Sequence, residues 1–182
     1  MSQCRIRLIY WFVLAAVSAT GGILVDVSLK TEPFPIWVRL IGLAGMVWAH
    51  FPLKRTGKLM KEFGNSEEWG CTTKLITHDI YGCVRHPHHL GVGIFMTSLG
   101  LVIGHAGSFL VISLTQWLWI LGFLLLVEEV ELRDKFGAEY QEYCSQVPML
   151  LPKPNCVYRV LSKPVGTTRE EPESIGGDSN PR

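Results

Sequence analysis

The apolar residues of this chain are gathered into four long blocks, and that grouping constrains its fold more than any other feature. A helix needs about 20 apolar residues to cross the hydrocarbon core of a bilayer. The blocks run over residues 8–25, 36–51, 90–103 and 108–127, the second ending at Pro52. Apolar residues make up 48% of the chain and charged residues only 18%, which is low for a soluble domain. The reading is an all-α integral membrane protein with about four transmembrane helices. The third and fourth blocks are joined only by Gly104-His105-Ala106-Gly107, so they must form a tight helical hairpin. Glycines 91, 93, 100 and 104 in that hairpin read first as close-packing positions.

Basic residues orient the spans. Arg5 and Arg7 precede the first block. Lys54, Arg55, Lys58, Lys61, Lys74 and Arg85 lie between the second and third. Arg133, Lys135, Lys153 and Arg159 follow the fourth, whereas the two remaining connections hold only Lys30. The positive-inside rule then puts both termini and the central segment in the cytoplasm. A second reading of the first block is a signal peptide, with Ala16-Val17-Ser18-Ala19 near its end. The formal net charge of +1 gives no reason to expect a nucleic acid partner. Five cysteines without a CxxC pair read as free thiols in a reducing compartment. From about Ser162 the chain loses its apolar residues, so residues 162–182 read as a disordered tail after a domain over 1–161.

Two stretches on the basic side carry chemistry. Tyr81-Gly82-Cys83-Val84-Arg85-His86-Pro87-His88-His89 leads into the third block, and Glu128-Glu129 leaves the fourth. The hairpin makes their ends neighbours, so the histidines and glutamates are expected to converge. The plainer alternative is that these charges only mark span ends, with Pro87 in a first helical turn. A metal reading was weighed on His86, His88 and His89 with His78 and Cys83 nearby. It is set aside because no pair has helical i, i+4 zinc spacing, so no metal is expected. Beyond Glu129, Leu132, Phe136, Tyr140, Tyr143 and Val147 recur at intervals of four, four, three and four. That is one apolar face of an amphipathic helix over about 128–147, expected to lie along the interface or fold under the hairpin.

Together these stretches resemble the isoprenylcysteine carboxyl methyltransferase and phospholipid methyltransferase superfamily. The matching residues are Tyr81, Arg85-His86-Pro87, Gly91, Glu128-Glu129, Phe136-Gly137, Tyr140, Tyr143, Val147-Pro148 and Leu151-Pro152. The resemblance spans roughly Thr73 to Pro152. It implies methyl transfer from S-adenosylmethionine, held in a cytoplasm-facing pocket, to a membrane-embedded, hydrophobic or lipidated substrate. Carried over by position, Thr73, Lys74, Leu75, Ile76, Tyr81, His86, Pro87, His88, His89 and Glu128 would line the donor. Arg85, His86 and Glu129 would be the catalytic candidates, the last two as proton acceptors for an amine or thiol substrate. The membrane would be the endoplasmic reticulum in a eukaryote and the plasma membrane in a prokaryote. Three departures matter. His89 stands where the family usually has Tyr, and Asp79-Ile80 replaces a Gly-Pro or similar pair. Leu124 stands where prenylcysteine enzymes carry an arginine for the substrate carboxylate, which leaves the acceptor open. Tyr143-Cys144-Ser145-Gln146-Val147-Pro148 also fits the ending of membrane sterol reductases that use NADPH, and a non-catalytic membrane protein keeping the motif is the remaining alternative.

Overall fold

The computed structural model describes residues 3–64 and 73–152, with Asn155, Cys156 and Tyr158. The expected tail over 162–182 lies outside the described residues, as does Cys71. Among the described residues the elements are helical. They comprise α1 (Gln3–Leu29), α2 (Ile36–Phe63), a 3₁₀ turn (Asp79–Gly82), α3 (Pro87–Ile103), α4 (Ala106–Phe123), a π turn (Leu124–Glu128) and α5 (Glu129–Gln146). Three helical runs are long and apolar enough to cross a membrane: Arg5–Leu29, Ile36–Phe63 and Ala106–Gln146, the last interrupted at Gly137. The third expected span, Pro87–Ile103, is a shorter apolar helix.

Two boundaries differ from expectation. Pro52 does not end α2, which continues to Phe63. Proline inside a helix removes one ladder hydrogen bond, but Pro52 is buried in α2, beside Gly91 of α3. Lys54, Arg55, Lys58 and Lys61 therefore sit on the last turns of α2 rather than in a loop. The fourth span does not stop before Glu128 either. The backbone stays helical through the π turn into α5, with no capping residue between them.

The hairpin is as tight as its sequence requires. Gly104 ends α3 at φ 87°, a left-handed conformation that suits glycine, and His105 leads directly into α4. Arg39 of α2 donates to the last α3 carbonyl, Ile103 O, at 2.8 Å. The glycines do serve packing: a side chain at Gly93 would meet the Trp117 ring, and one at Gly100 the Phe109 backbone.

α2 packs on α3, α3 on α4, and α4 on α1. The two helices earliest in the chain thus flank the hairpin on opposite sides. Asp26 of α1 fixes that arrangement by capping α4 from another helix. Its carboxylate accepts from Gly107 N at 2.7 Å, from Ser108 N at 2.9 Å and from the Ser108 hydroxyl. An anion at a helix N-terminus satisfies orphan N–H groups and favours the helix dipole. At the opposite end of α1, Arg7 pairs with Glu131 of α5. Val27, Trp37, Leu118 and many other apolar residues remain exposed on the outer faces of these helices, which suits lipid contact.

Candidate active site

The Arg-His stretch is positioned from three directions. Arg55 of α2 forms a buried two-pronged ion pair with Asp79, Nε to Oδ1 at 2.5 Å and Nη2 to Oδ2 at 2.8 Å. Asp79 sits at φ 61°. Aspartate is among the few side chains that tolerate this left-handed conformation. The replaced Gly-Pro position has therefore kept a residue able to make the turn, and gained an ion pair.

From the C-terminal side, Pro148 O accepts from Arg85 N at 2.9 Å and Met149 O from His86 N at 3.2 Å. The Tyr143 hydroxyl donates to Tyr81 O at 2.6 Å. A disulfide between Cys83 and Cys156 ties the same region together. This overturns the reading of the cysteines as free thiols for that pair, while Cys144 is free. The bond joins residues 73 positions apart in sequence, so no local spacing could have revealed it. Cys83 is therefore also lost as a metal ligand.

The histidines and glutamates meet, as the hairpin demanded. His86 precedes α3 and is almost fully buried, with its Nε2 at 2.7 Å from Glu129 Oε1 and its Nδ1 at 3.4 Å from Glu128 Oε1. His89, one turn into α3, places Nε2 at 3.4 Å from Glu128 Oε2. Burial disfavours the charged form of His86, but hydrogen bonds and attraction from Glu128 and Glu129 outweigh it and raise its pKa above the usual value. Tyr81 feels both burial and the Glu128 charge, which push its phenol pKa well up and keep it neutral.

Glu129 is fully committed. It accepts from Arg85 Nη1 at 2.7 Å and from the Tyr140 hydroxyl at 2.8 Å, besides His86, and Arg133 lies 3.5 Å away. Glu128 is not. Its Oε2 is buried without a hydrogen-bond partner. A buried carboxylate oxygen without a donor is costly unless a cation or donor arrives.

The Tyr140 contact depends on Gly137. Along a straight helix, residues 129 and 140 would be about 16 Å apart at 1.5 Å per residue, too far for their side chains to touch. Gly137 has φ 54° and ψ −124°, a non-helical conformation that turns the chain back. Tyr140, Tyr143 and Val147 then bury together against Leu75, Leu132 and Phe136, so the expected apolar residues meet across the turn at Gly137 rather than on one face of an unbroken helix. The open space around Gly137 makes its requirement one of backbone alone. Gly137→Ala is expected to destabilise the protein by about 1–3 kcal/mol, measured by chemical unfolding in detergent. An unchanged unfolding midpoint would show that the turn tolerates a side chain.

Other expected donor-site residues are distributed unevenly. His88 stacks edge-on with His89 and lies 3.5 Å from the Thr56 hydroxyl, and Pro87 is buried beneath them. Leu75 joins the Tyr140 core, Ile76 is buried, Thr73 bonds Gly64 O, and Lys74 is exposed. Nothing places these four against Glu128. The sequence reading did not single out Phe123, whose ring lies 5.8 Å from that of His89 and stacks on Trp119. Leu124 is fully buried in the π turn. An open cavity of about 620 Å³ borders Arg85, Cys144, Val147, Pro148 and Leu151, on a side that includes neither His89 nor Glu128.

A sequence profile described as phospholipid methyltransferase matches residues 35–139. A protein-S-isoprenylcysteine O-methyltransferase of Schizosaccharomyces pombe is 33% identical over 78 residues, covering 43% of this chain and 33% of that enzyme. Methanethiol S-methyltransferase 2 of Bradyrhizobium diazoefficiens is 29% identical over 162 residues, covering 79% of this chain and 58% of that one. The chain thus spans between about a third and three-fifths of the length of these relatives. A solved eukaryotic intramembrane Ras methyltransferase, an isoprenylcysteine carboxyl methyltransferase, superposes with a TM-score of 0.57 at 21% identity. The match covers 79% of this chain and 52% of that one, so the two share a fold.

Proposed function

This chain belongs to the phospholipid methyltransferase family, and from that premise we propose that it transfers a methyl group from S-adenosylmethionine to a hydrophobic acceptor dissolved in the membrane. The observation that carries the reading is the partnerless carboxylate oxygen of Glu128 at the mouth of the α3–α4 hairpin. A methyl donor bearing a sulfonium and an ammonium fits such a group, since a cation beside a partly desolvated carboxylate is strongly attracted. When bound, the donor supplies an electrophilic methyl on a positively charged sulfur.

The protein's share is positioning and exclusion of water. Glu128 holds the cationic end, with His86, His89 and Tyr81 around it and Pro87 and His88 behind. Thr73, Lys74, Leu75 and Ile76 belong to this proposal by position in the family pattern alone. Glu129 orients His86 by holding its Nε2, and Arg85 and Tyr140 hold Glu129 in turn. With several donors already on it, Glu129 is a poor proton acceptor. His86 has both ring nitrogens facing carboxylates, Nε2 at 2.7 Å from Glu129 and Nδ1 at 3.4 Å from Glu128, so neither is free to take a proton from substrate. Both therefore act as positioning groups, and Arg85 with them. The acceptor is then a group that is already anionic or easily deprotonated.

Leu124 offers no cation for a substrate carboxylate. That favours a thiol or another small lipidic nucleophile over a prenylated cysteine carboxylate. The distribution of basic residues supports a mouth on the cytoplasmic side. Cytosolic thiols reduce accessible disulfides, and here Cys83 is fully buried while Cys156 is half-buried, which limits access to the bond. The test incubates purified protein with S-adenosylmethionine labelled in its methyl group and a total membrane extract. Label is expected in a lipid or thiol fraction. Binding of NADPH with none of S-adenosylmethionine would overturn the reading in favour of a reductase.

A further inference from the structure

The replacement of the family's tyrosine by His89 creates something the family pattern does not contain. His86, His89 and Glu128 each bring one donor atom into a group whose members all lie within 4.8 Å of one another. We propose that these three residues form a binding site for a zinc-class divalent cation.

The geometry suits that ion. Donors bound at about 2.0–2.1 Å in a tetrahedron stand about 3.4 Å apart. Glu128 shows this separation through one oxygen to each ring, Oε1 to His86 Nδ1 and Oε2 to His89 Nε2, 3.4 Å in each case. With one donor atom from each residue the group lies within 4.8 Å, so binding draws the two rings together around a single Glu128 oxygen. Two imidazoles and a carboxylate select zinc, copper or nickel over magnesium or calcium, which prefer oxygen ligands alone. Three protein ligands leave a fourth position open.

The surroundings are those of a metal-binding histidine. Glu129 accepts a hydrogen bond from His86 Nε2 at 2.7 Å. Arg85 and Tyr140 occupy the same carboxylate, so it stays ionised and fixes that tautomer. A carboxylate behind the far nitrogen of a ligand histidine orients the ring and raises its basicity. With the proton on Nε2, the Nδ1 lone pair faces a Glu128 oxygen. Two lone pairs so placed repel unless a proton or a metal ion lies between them. The second Glu128 oxygen, aimed at His89, has no hydrogen-bond partner at all. One divalent ion satisfies all three groups at once.

The earlier objection to a metal came from the absence of i, i+4 histidine spacing. That spacing does not apply because the third ligand comes from the π turn after α4, across the hairpin, and because His86 stands just outside α3 rather than within it. The site holds whether or not the chain transfers methyl groups. If it does, ion and donor compete for Glu128, a corollary that rests on the proposed activity.

The test titrates zinc chloride into the metal-free, detergent-purified full chain by calorimetry without a methyl donor, and repeats it on His89→Tyr and Glu128→Gln. Wild-type protein is expected to bind one ion with micromolar or tighter affinity. Each variant should weaken binding by at least about 100-fold, since even outer-shell changes cost 10- to 100-fold. Cobalt(II) at the same site should give the intense visible bands of four-coordinate geometry in the wild type and lose them in both variants. No saturable zinc binding, or binding equally tight in His89→Tyr, would overturn the proposal and leave a proton between His86 and Glu128. Should a variant fail to keep the wild-type unfolding midpoint, His89→Gln provides the same comparison. Zinc binding without any S-adenosylmethionine binding leaves the metal site standing and removes the methyl-transfer reading.

Discussion

Replacing Glu128 by glutamine lowers the affinity for S-adenosylmethionine by about 10- to 100-fold while the unfolding midpoint stays near that of the wild type. The magnitude follows from the loss of a charged hydrogen-bonding partner, worth about 1.5–3 kcal/mol. The midpoint should hold because Glu128 is partly exposed and its contacts to His86 and His89 are long, 3.4 Å each. Glutamine keeps the volume and one acceptor oxygen, so a loss of binding reports charge rather than packing. Calorimetry on the metal-free protein gives the number directly. Wild-type affinity in the variant would mean that the donor's cationic end lies elsewhere, and the partnerless oxygen would then have no part in holding it.

Glu129→Ala has the opposite profile: it destabilises the fold itself. Glu129 is buried and receives Arg85, His86 and Tyr140 within 2.8 Å. Removing one member of a buried ion pair strands the other, at a cost of about 3–5 kcal/mol. Arg85 already has a buried Nε without a hydrogen-bond partner, and in the variant its Nη1 contact is reduced to Cys144. The loss should also release Tyr140 and with it the turn at Gly137. Chemical unfolding in detergent measures the change, and the double variant Glu129→Ala, Arg85→Ala tests its origin. If the charge pair is responsible, the double variant recovers part of the lost stability. A cost under about 1 kcal/mol for Glu129→Ala alone would show that the network is loosely held.

On the proposed reading the neighbouring glutamates divide the work, one binding and one holding, although nothing in a Glu-Glu pair says which is which. The division comes from the π turn and from what each carboxylate meets. Such turns inside helices often mark functional sites, but no residue pattern in Leu124–Glu128 announces one.

Much else was written in the chain. The apolar blocks pointed to membrane helices because a helix pairs its own backbone polar groups in lipid. The four-residue connection required a hairpin, and the hairpin alone brought His86 and His89 to Glu128 from about forty residues away. Which residues between Leu132 and Val147 are apolar and packed came from local periodicity, though not the turn at Gly137 that brings them together. These features are determined by nearest neighbours along the chain and by the solvent, which is why spacing and composition suffice.

The tertiary structure decided what depends on partners distant in sequence. Proline 52 reads as a stop, yet α2 passes through it against α3. Asp26 lies just past the first apolar block, and only the structure shows that it caps a helix that begins 80 residues later. Cys83 and Cys156 read as unrelated thiols. Gly137 reads as part of a motif, and only its backbone angles show that it folds Tyr140 back onto Glu129. In each case the deciding interaction is a hydrogen bond, a covalent bond or a packing contact between elements. Its free energy exists only once both sides are in place.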